Sequence, residues 1–516
     1  MLKKVVIVDF GSQVTQLIAR SVRSQKVYCE VVPFNKFSLK YIKNENPVGI
    51  ILSGSPLSVT KRGFPSIKRE IFFLGIPILG ICYGMQLISS ALGGKIKKIS
   101  GREYGDTSIR VIKKSSICPN NWKTKTKHDV WMSHGDSVKT LPKNFISFAK
   151  SNNENFVGIA NEKMKIFGLQ FHPEVTHTKD GKSIIKKFLF EVCKCKPQWN
   201  MKKFKKENIT LLKKKLVNKK VICGLSGGVD SSVAALLLNK AIGKRLLCIF
   251  VDHGLLRMGE KKEIHNFFKR KSNFKFISVD ASKQFMKVLK GVTDPEKKRK
   301  LIGKEFIKTF DKCANKYKSI EYLAQGTLYP DVIESRSVTG APSATIKSHH
   351  NVGGLPKKMN LKLVEPLNTL FKDEVRILGK ELGLGDIIRN RHPFPGPGLA
   401  IRILGEVTKS RLEILRQADK IYIDLLKKEK LYDKIWQAFC VLLPVKTVGV
   451  MGDSRTYENV CAIRAVTSVD GMTAGYYPFD QTFLKKVSNN IINKVKGINR
   501  VVYDTTSKPP GTIEWE

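Results

Sequence analysis

One short stretch of the chain has the residue types of a thiol-based acyl transfer. In ILGICYGMQLI, Cys82 stands between Gly80 and Gly84 at the end of an apolar run, with a helical pattern beyond it. This is the G-x-S-x-G nucleophile elbow with sulfur in place of oxygen, a turn that lifts the side chain above the sheet. A thiol at a helix N-terminus has its thiolate favoured. Taken alone, Cys82 would more often be a core residue, so a partner is needed.

A second stretch, IFGLQFHPEVTH, supplies a base and a carboxylate. Residues two apart point the same way in extended backbone, which would place Gln170, His172 and Glu174 on one side. Pro173 is expected to hold the segment extended, so that Glu174 orients the His172 ring. Cys82, His172 and Glu174 would then form a complete catalytic triad. A lone histidine beside a strand is usually structural, but its combination with an elbow cysteine favours catalysis.

A third stretch, VICGLSGGVDSS, predicts a phosphate-binding loop. Gly227 and Gly228 allow a turn whose N–H groups point inward, and the following helix adds the dipole of its N-terminus. Asp230 in the same loop favours a bound cation, for which Mg²⁺ is the hard, oxygen-seeking choice. The Lys-Ser/Thr pair of a Walker-type loop is absent. Three hydroxyls add donors to the loop: those of Ser226, Ser231 and Ser232.

Alternating strands and helices are predicted to position these residues. Short β-branched runs at 5–8, 48–52 and 78–81 alternate with helical patterns, which is typical of a parallel α/β sheet. A second series has runs at 221–225, 246–251, 274–279 and 322–325, and further strands are expected at 441–450 and 500–503. A charged, proline-bearing stretch near 198 and the segment RHPFPGPGLAIR near 395 interrupt the pattern. The predicted domains are therefore 1–198, 199–395 and 396–516.

Composition bounds the class of protein. The 516 residues are 42% hydrophobic and 26% charged, as in a soluble globular chain, and no membrane span or signal-peptide core is expected. Ten cysteines without paired spacing predict thiols in a reducing compartment, here the cytosol. The net charge of +48 would suit a nucleic-acid partner, but the lysines are spread over every segment. A lysine-biased composition is the favoured interpretation, so a nucleic-acid partner is not expected.

The first 196 residues resemble the class I, triad-type glutamine amidotransferases. The resemblance lies in DFGSQ, GIILSGSP, GICYGMQ, MSHGD and QFHPE. It implies that Cys82 attacks the side-chain amide of glutamine and releases ammonia. Backbone N–H groups near Gly54 and Tyr83 would form the oxyanion hole, and Gln86 and the loop around His134 would help hold glutamine. A peptidase or another thiol hydrolase is the competing interpretation, but it gives the rest of the chain no role.

The phosphate loop and the region C-terminal to it resemble the PP-loop ATP pyrophosphatases, which cleave ATP between its α- and β-phosphates. The resemblance implies that ATP is a co-substrate, that pyrophosphate leaves and that an acceptor is adenylated. FVDHG would contact adenosine near Val251, and AQGTLYPDVIES would place Gly326 at the pocket. Lys372 and Lys347 are candidate phosphate partners. The predicted ATP-binding residues are Ser226, Gly227, Gly228, Val229, Asp230, Ser231, Ser232, Val251, Gly326 and Lys372.

The order of these regions, together with HPFPGPGLAIR, GVMGDSRTY and SKPPGTIEWE, resembles the glutamine-hydrolysing GMP synthetases. The resemblance implies a flavodoxin-like glutaminase, an adenine nucleotide alpha hydrolase-like pyrophosphatase and a smaller α+β C-terminal dimerisation domain. It also implies the substrates XMP, ATP and glutamine, a homodimer, and XMP contacts at Arg299, Lys508 and Glu514. We expect 291–306 to form a lid and the tail from Thr512 to form a strand. A tRNA-modifying PP-loop enzyme and a nucleotide-binding regulator are the alternatives.

Overall fold

The computed structural model describes residues 3–271, 274–317, 319–336, 361–451, 454–468, 471 and 473–516. The chain divides into two compact units, with the main boundary between Lys203 and Phe204 and with residues 333–336 grouped with the first unit. Among the described residues, no helix combines the length and the apolar character needed to cross a bilayer.

Residues 3–200, all of them described, contain nine strands and four α-helices. The strands are β1 Val5–Asp9, β2 Cys29–Pro33, β3 Gly49–Leu52, β4 Ile78–Ile81, β5 Lys95–Val111, β6 Lys127–Thr140, β7 Ile146–Lys150, β8 Gly158–Asn161 and β9 Ile166–Leu169. The helices are α1 Thr15–Ser24, α2 Leu39–Glu45, α3 Tyr83–Ala91 and α4 Gly181–Lys187.

These strands form one sheet in the order β2-β1-β3-β4-β9-β8-β7-β5-β6. The first five strands of that order are parallel, as the sequence predicted. The other four extend the sheet with antiparallel pairing, which the sequence interpretation did not foresee. β1, β3, β4 and β9 are fully buried, so they are covered on both faces like the strands of other parallel sheets.

The chain from residue 201 onward contains a second parallel sheet. Its strands are β10 Val221–Leu225, β11 Leu246–Asp252, β12 Lys275–Asp280, β13 Tyr322–Ala324 and β14 Lys362–Val364, in the order β12-β11-β10-β13-β14. The helices up to residue 389 are α5 Met201–Lys215, α6 Val229–Ile242, α7 Glu260–Lys271, α8 Ser282–Leu289, α9 Pro295–Ala314, α10 Tyr329–Arg336, α11 Lys372–Glu381 and α12 Asp386–Arg389. All pairings in this sheet are parallel, as predicted.

The last part of the chain forms a smaller sheet with two long helices. Its elements are α13 Lys409–Lys428, β15 Gln437–Met451, β16 Ser454–Thr467, β17 Gly475–Tyr476, α14 Gln481–Lys494 and β18 Ile498–Tyr503. β16 pairs antiparallel with β15 and β17 and parallel with β18. The predicted fold class, two parallel α/β sheets and a smaller α+β part, is confirmed.

One apolar core joins the regions on both sides of residue 395. Ile222 of β10 and Ile249 of β11 belong to the same cluster of buried side chains as Leu399, Leu415 of α13 and Ile463 of β16. Helix α13 therefore packs in a core shared with the parallel sheet. The division into three domains at 198 and 395 stays a prediction.

Candidate active sites

Cys82 lies at a sharp turn between β4 and α3. Its backbone has φ 51° and ψ −104°, and its N–H donates to the Leu169 carbonyl at 2.7 Å. A Cβ on Gly84 would lie 2.3 Å from the Leu52 oxygen, and one on Gly80 would lie 2.5 Å from the backbone of Gly84. Only glycine permits these approaches, because real Cβ contacts are not that short. The glycines thus bring the start of α3 against the sheet and leave Cys82 at the turn.

His172 and Glu174 approach Cys82 from the segment after β9. The strand ends at Leu169, so Pro173 and Glu174 lie in a turn and not in the extended segment predicted from the sequence. Thr178 explains this difference, because its hydroxyl donates to the His172 carbonyl at 2.7 Å and draws the chain back. The turn still brings Nδ1 of His172 to 2.7 Å from Oε1 of Glu174.

The His172 side chain is held between a carboxylate and a thiol. Glu174 is fully buried, and its Oε2 has no hydrogen-bond partner, so its charge acts mainly on His172. Burial lowers the pKa of His172, but the Glu174 charge and hydrogen bonds with Cys82 and Glu174 raise it, and the pKa ends well above the usual histidine value. The structure therefore brings the three predicted catalytic residues together in the order thiol, imidazole, carboxylate.

The predicted oxyanion residues lie beside this group. A Cβ on Gly54 would lie 3.5 Å from Cε1 of His172 and 3.3 Å from Oγ of Ser12, so Gly54 packs directly against the histidine ring. Tyr83 is the first residue of α3, and its hydroxyl donates to the Pro65 carbonyl. Tyr83 thus directly follows Cys82 and Gly54 lies against the His172 ring, while their role as backbone N–H donors stays a prediction.

Gln86 and His134, predicted to help hold glutamine, are buried with protein partners. The Gln86 amide nitrogen donates to the Asp136 carbonyl at 2.8 Å. Nδ1 of His134 lies 3.1 Å from the same carbonyl, and its Nε2 lies 3.2 Å from Oε2 of Glu103. This close contact with the His134 ring holds the pKa of Glu103 below its usual value. The Gln86 amide nitrogen and Nδ1 of His134 thus both lie at the Asp136 carbonyl, and direct contact with glutamine stays a prediction.

Gln170 connects this buried group to the nucleophile. Its amide nitrogen lies 3.8 Å from Sγ of Cys82, and its Oε1 accepts from Gln86 at 3.4 Å. The sequence interpretation gave Gln170 only a position beside His172. The sequence did contain a signal for this role. Gln170 stands two residues before His172, and in extended backbone this spacing places both side chains on the same side.

The phosphate loop joins β10 to α6. Gly227 has φ 79°, and Gly228 is the residue before the first turn of α6. Oγ of Ser226 lies 3.0 Å from Oγ of Ser231 and accepts from the Gly228 N–H at 3.2 Å. Ser232 is fully buried and donates to the Gly228 carbonyl at 2.7 Å, so its hydroxyl braces the loop from inside. Val229 opens the helix and is buried.

Asp230 and Lys372 face each other at this loop. Oδ2 of Asp230 is 3.7 Å from Nζ of Lys372, while Oδ1 is buried without a hydrogen-bond partner. A carboxylate oxygen left in that condition fits a cation ligand, so the donor set suits the expected Mg²⁺. A Cβ on Gly326 would lie 3.1 Å from the Asp230 carbonyl carbon, so Gly326 packs on the start of α6. No group of three or more His, Cys, Asp or Glu that could hold a metal occurs among the described residues.

Val251 lies near the end of β11, next to the strand that carries the phosphate loop. The following loop is fixed by its own side chains: Asp252 accepts from the Gly254 N–H at 2.9 Å, and Nδ1 of His253 accepts from the Leu255 N–H at 3.0 Å. Val251 thus reaches the same end of the sheet as Asp230. Lys347, the other candidate phosphate partner, lies outside the described residues.

The three predicted XMP residues all lie against other parts of the protein. Arg299 is in the first half of α9 and donates to the Glu516 carbonyl. Lys508 donates to the Gly471 carbonyl at 2.7 Å. The segment 291–306, predicted to be a lid, contains a turn followed by the first part of α9. Lys298 within this segment is fully buried.

The tail is not the strand that its alternating pattern suggested. Arg464 of β16 holds it instead, with donors to the Ile513 carbonyl at 2.8 Å and the Thr512 carbonyl at 2.9 Å. A side chain thereby takes the backbone acceptors that a neighbouring strand would have used.

The Glu514 carboxylate accepts hydrogen bonds from two residues that were not predicted from the sequence. Arg402 is fully buried, and its Nε and Nη2 donate to the two carboxylate oxygens of Glu514 at 3.0 and 2.8 Å. Gln437 donates to the same carboxylate at 2.6 Å. An arginine inside the apolar run GLAIRIL was the only signal, because a fully buried arginine needs a partner.

Comparisons with known proteins match three regions of the chain. The matching family descriptions are glutamine amidotransferase class-I over residues 6–192, NAD synthase over 202–317 and GMP synthase C terminal domain over 424–515. A GMP synthase (glutamine-hydrolyzing) of Zymomonas mobilis is 56% identical over 516 residues, which cover 100% of this chain and 98% of the relative. One of Bradyrhizobium diazoefficiens is 55% identical over 513 residues, covering 99% of this chain and 93% of the relative.

Among solved structures, a glutamine amidotransferase of Thermotoga maritima aligns with 38% of this chain and 88% of its own. It is 19% identical, with a TM-score of 0.28.

Proposed function

The chain belongs to the family of glutamine-hydrolysing GMP synthases, and we propose that it converts XMP, ATP, glutamine and water to GMP, AMP, pyrophosphate and glutamate at two sites. One observation carries this proposal: the same chain holds two sites. Cys82, His172 and Glu174 lie in mutual contact as a triad, and the phosphate loop contains an Asp230 carboxylate oxygen that has no hydrogen-bond partner. The first group can release ammonia, and the second can hold the ATP that activates XMP.

At the first site, Cys82 attacks the side-chain carbonyl carbon of glutamine while His172 takes the thiol proton. The C–N bond then breaks, His172 returns the proton to the leaving ammonia, and water cleaves the remaining thioester to glutamate. Glu174 stabilises the imidazolium at its 2.7 Å contact. The N–H groups at Gly54 and Tyr83 are proposed to hold the oxyanion, since Tyr83 directly follows Cys82 and Gly54 lies against the His172 ring.

At the second site, the loop from Ser226 to Ser231 and the N-terminus of α6 are proposed to hold the β- and γ-phosphates of ATP. Asp230 would hold Mg²⁺, which neutralises charge on the pyrophosphate leaving group. Lys372, 3.7 Å from Asp230, is close enough to contribute a second positive charge. The O2 oxygen of XMP takes the adenylyl group, and ammonia then displaces AMP at C2.

Arg299, Lys508 and Glu514 are proposed to bind XMP. Supporting this, Glu514 is fixed by a bidentate arginine and a glutamine, so its carboxylate has a defined direction before any ligand arrives. The cations of Arg299 and Lys508 donate to main-chain carbonyls, and a phosphate would be a stronger acceptor for both.

A homodimer is proposed from an exposed apolar stripe, the hairpin patch, formed by Val445, Val448, Val450 and Tyr457. These side chains are 50–75% exposed, and Val448 stands opposite Tyr457 in the β15–β16 register. Exposed apolar clusters of this kind commonly mark protein interfaces. We expect Val448→Lys with Val450→Lys to yield a monomer in light scattering, and a dimer that survives both changes would contradict this assignment.

The test of the function is product analysis. The protein is incubated with XMP, Mg-ATP and either glutamine or ammonium, and GMP, AMP and pyrophosphate are quantified beside the Cys82→Ala variant. We expect GMP from both nitrogen sources, with the variant losing only the glutamine-driven reaction. AMP without GMP would show that XMP is the wrong acceptor, and no AMP would refute the pyrophosphatase assignment. A cytosolic location stays a prediction.

A further inference from the structure

The motif HPFPGPG contains an aromatic ring that has no role in the proposed reaction. Phe394 is half-buried, and the guanidinium carbons of two arginines lie over its ring, Arg257 at 5.4 Å and Arg402 at 5.1 Å. Arg402 also lies 4.1 Å above the ring centre of Phe439. The four side chains form a stack, Arg257–Phe394–Arg402–Phe439, which we call the arginine ladder. A cation and an aromatic face attract each other most strongly where water is excluded.

One end of the arginine ladder is attached to the predicted XMP site. Arg402 donates to both carboxylate oxygens of Glu514, and its Nη1 is buried without a hydrogen-bond partner. The ring faces of Phe394 and Phe439 are therefore the contacts that hold the remaining side of this guanidinium. Gln437 strengthens the same end, because its amide donates both to Glu514 and to the carbonyl of Pro393, the residue before Phe394.

The other end is attached to the loop that follows β11. Arg257 lies in that loop, five residues after Asp252. Its guanidinium contacts Asp419 of α13 at 3.3 Å and donates to the Ala438 carbonyl at 3.0 Å. Asp419 is itself buried and accepts from the Cys440 N–H at 3.1 Å. Arg257 is thus fixed to the strand that carries Gln437.

A carboxylate extends the ladder to the phosphate loop. Oε2 of Glu260 accepts from the main-chain N–H of Arg257 at 3.2 Å, and its Oε1 accepts from the Arg391 guanidinium at 2.7 Å. The same guanidinium nitrogen of Arg391 donates to the Gly227 carbonyl at 3.1 Å. Contacts of hydrogen-bond or stacking distance therefore run without a break from Gly227 to Glu514.

We propose that the arginine ladder couples the binding of ATP to the binding of XMP, with Phe394 as its central positioning residue. The proposal rests on the proposed function, because it takes Gly227 as part of the ATP site and Glu514 as part of the XMP site. Side chains in a packed interior cannot shift independently. When one ligand fixes its end of the ladder, the other end is fixed as well, and the second ligand binds to a site already ordered.

The experiment compares XMP affinity with and without an ATP analogue whose α- and β-phosphates are joined by a methylene group, so that no adenylation occurs. Titration calorimetry gives both dissociation constants and the number of sites. For the wild type we expect XMP to bind about 5- to 150-fold more tightly with the analogue present, the usual range of such coupling. In Phe394→Leu, which keeps bulk but removes the ring, we expect that ratio to fall to within about twofold of one.

Three further variants separate coupling from folding. Phe394→Tyr keeps the ring face and should retain the wild-type ratio. Phe479→Leu alters an aromatic cluster that contacts Tyr477 and Phe483 elsewhere in the same core, and it should also retain the ratio. Arg257→Lys keeps the charge but loses the planar stacking group, and it should lower the ratio as Phe394→Leu does. A folding defect would reduce the number of sites and leave the ratio unchanged.

The outcomes distinguish the inference from the function on which it rests. A wild type that makes GMP but shows a ratio of one, or unchanged ratios in both Phe394→Leu and Arg257→Lys, would overturn the coupling. A wild type that binds no XMP and forms no AMP would overturn the proposed function itself.

Discussion

Replacing Glu174 by glutamine tests the arrangement at the first site most directly. The substitution keeps an acceptor for Nδ1 of His172 but removes the buried charge that lies 2.7 Å away. With charge centres about 4 Å apart and an effective dielectric constant of about 20, that charge stabilises the imidazolium by about 4 kcal/mol. The loss of that charge should lower the pKa of His172, because the Glu174 carboxylate is one of the groups that raise it.

The imidazolium forms when Cys82 gives up its proton, so the lost stabilisation should appear in the rate. About 4 kcal/mol corresponds to a glutamine-driven rate about 10³-fold lower. The assay measures glutamate release in the presence of XMP and Mg-ATP. Ammonium-driven GMP formation should remain at the wild-type rate, because it does not use Cys82.

Glu191→Gln is the matched control, since Glu191 is half-exposed and its ion pair among the described residues is with Lys187. We expect this variant to behave as the wild type. The reasoning fails if Glu174→Gln retains glutamine-driven activity within about threefold of the wild type, because less than 1 kcal/mol would then come from the carboxylate.

Other expected outcomes concern backbone geometry, the phosphate loop and pH. Gly84→Ala should lower the free energy of unfolding by about 1–3 kcal/mol in denaturant titrations, because its Cβ meets a backbone oxygen; an unchanged value would contradict the close approach. The free energy of unfolding should be about 1 kcal/mol higher for Cys82→Gly than for Cys82→Ala, because the backbone φ of 51° at this position favours glycine. Equal values for the two variants would mean that the turn is unstrained. Asp230→Asn should abolish GMP formation from both nitrogen sources while a Cys82-dependent glutaminase remains, and retained AMP formation would exclude Asp230 as the metal ligand. Burial lowers the pKa of His253 and His392 to about 4, below about 6.5 in the unfolded chain. Both rings therefore contribute stability above pH 6.5 that is lost as pH falls towards 4, so the thermal midpoint should drop in that window, and less steeply in His392→Gln; identical slopes would refute the assignment.

Local patterns predicted the positions of the elbow, the phosphate loop and most of the parallel strands, but not β2 or β14. Gly80, Cys82 and Gly84 are close in sequence and form a local motif, although the close approach of Gly84 to Leu52 is visible only in the structure. Strands β1, β3, β4, β10 and β11 are mostly apolar runs, which a sequence shows directly. By contrast, β5 begins with KIKK and carries charged residues through most of its length, so its place in the sheet depends on pairing with β6.

Pairings between distant residues could not be predicted from one sequence. Arg402 and Glu514 are 112 positions apart, and neither has a local pattern that names the other. The tail illustrates the same limit. Its alternation of Ile513 and Trp515 with polar residues predicts a strand, but the acceptors of this segment are taken by the side chain of Arg464. Whether an arginine is buried, and which distant residue accepts its hydrogen bonds, is therefore set by the tertiary fold and not by the neighbouring sequence.

The core shared across residue 395 limits how this protein could be recombined with its relatives. Ile222 and Ile249 on one side pack in the same cluster as Leu399, Leu415 and Ile463 on the other. A chimera that takes residues 396–516 from another family member would have to bring a matching inner surface, because overpacked or underfilled contacts in a shared core are costly. The two regions are therefore expected to accumulate substitutions together, as a single inherited module, rather than to be exchanged as separate cassettes.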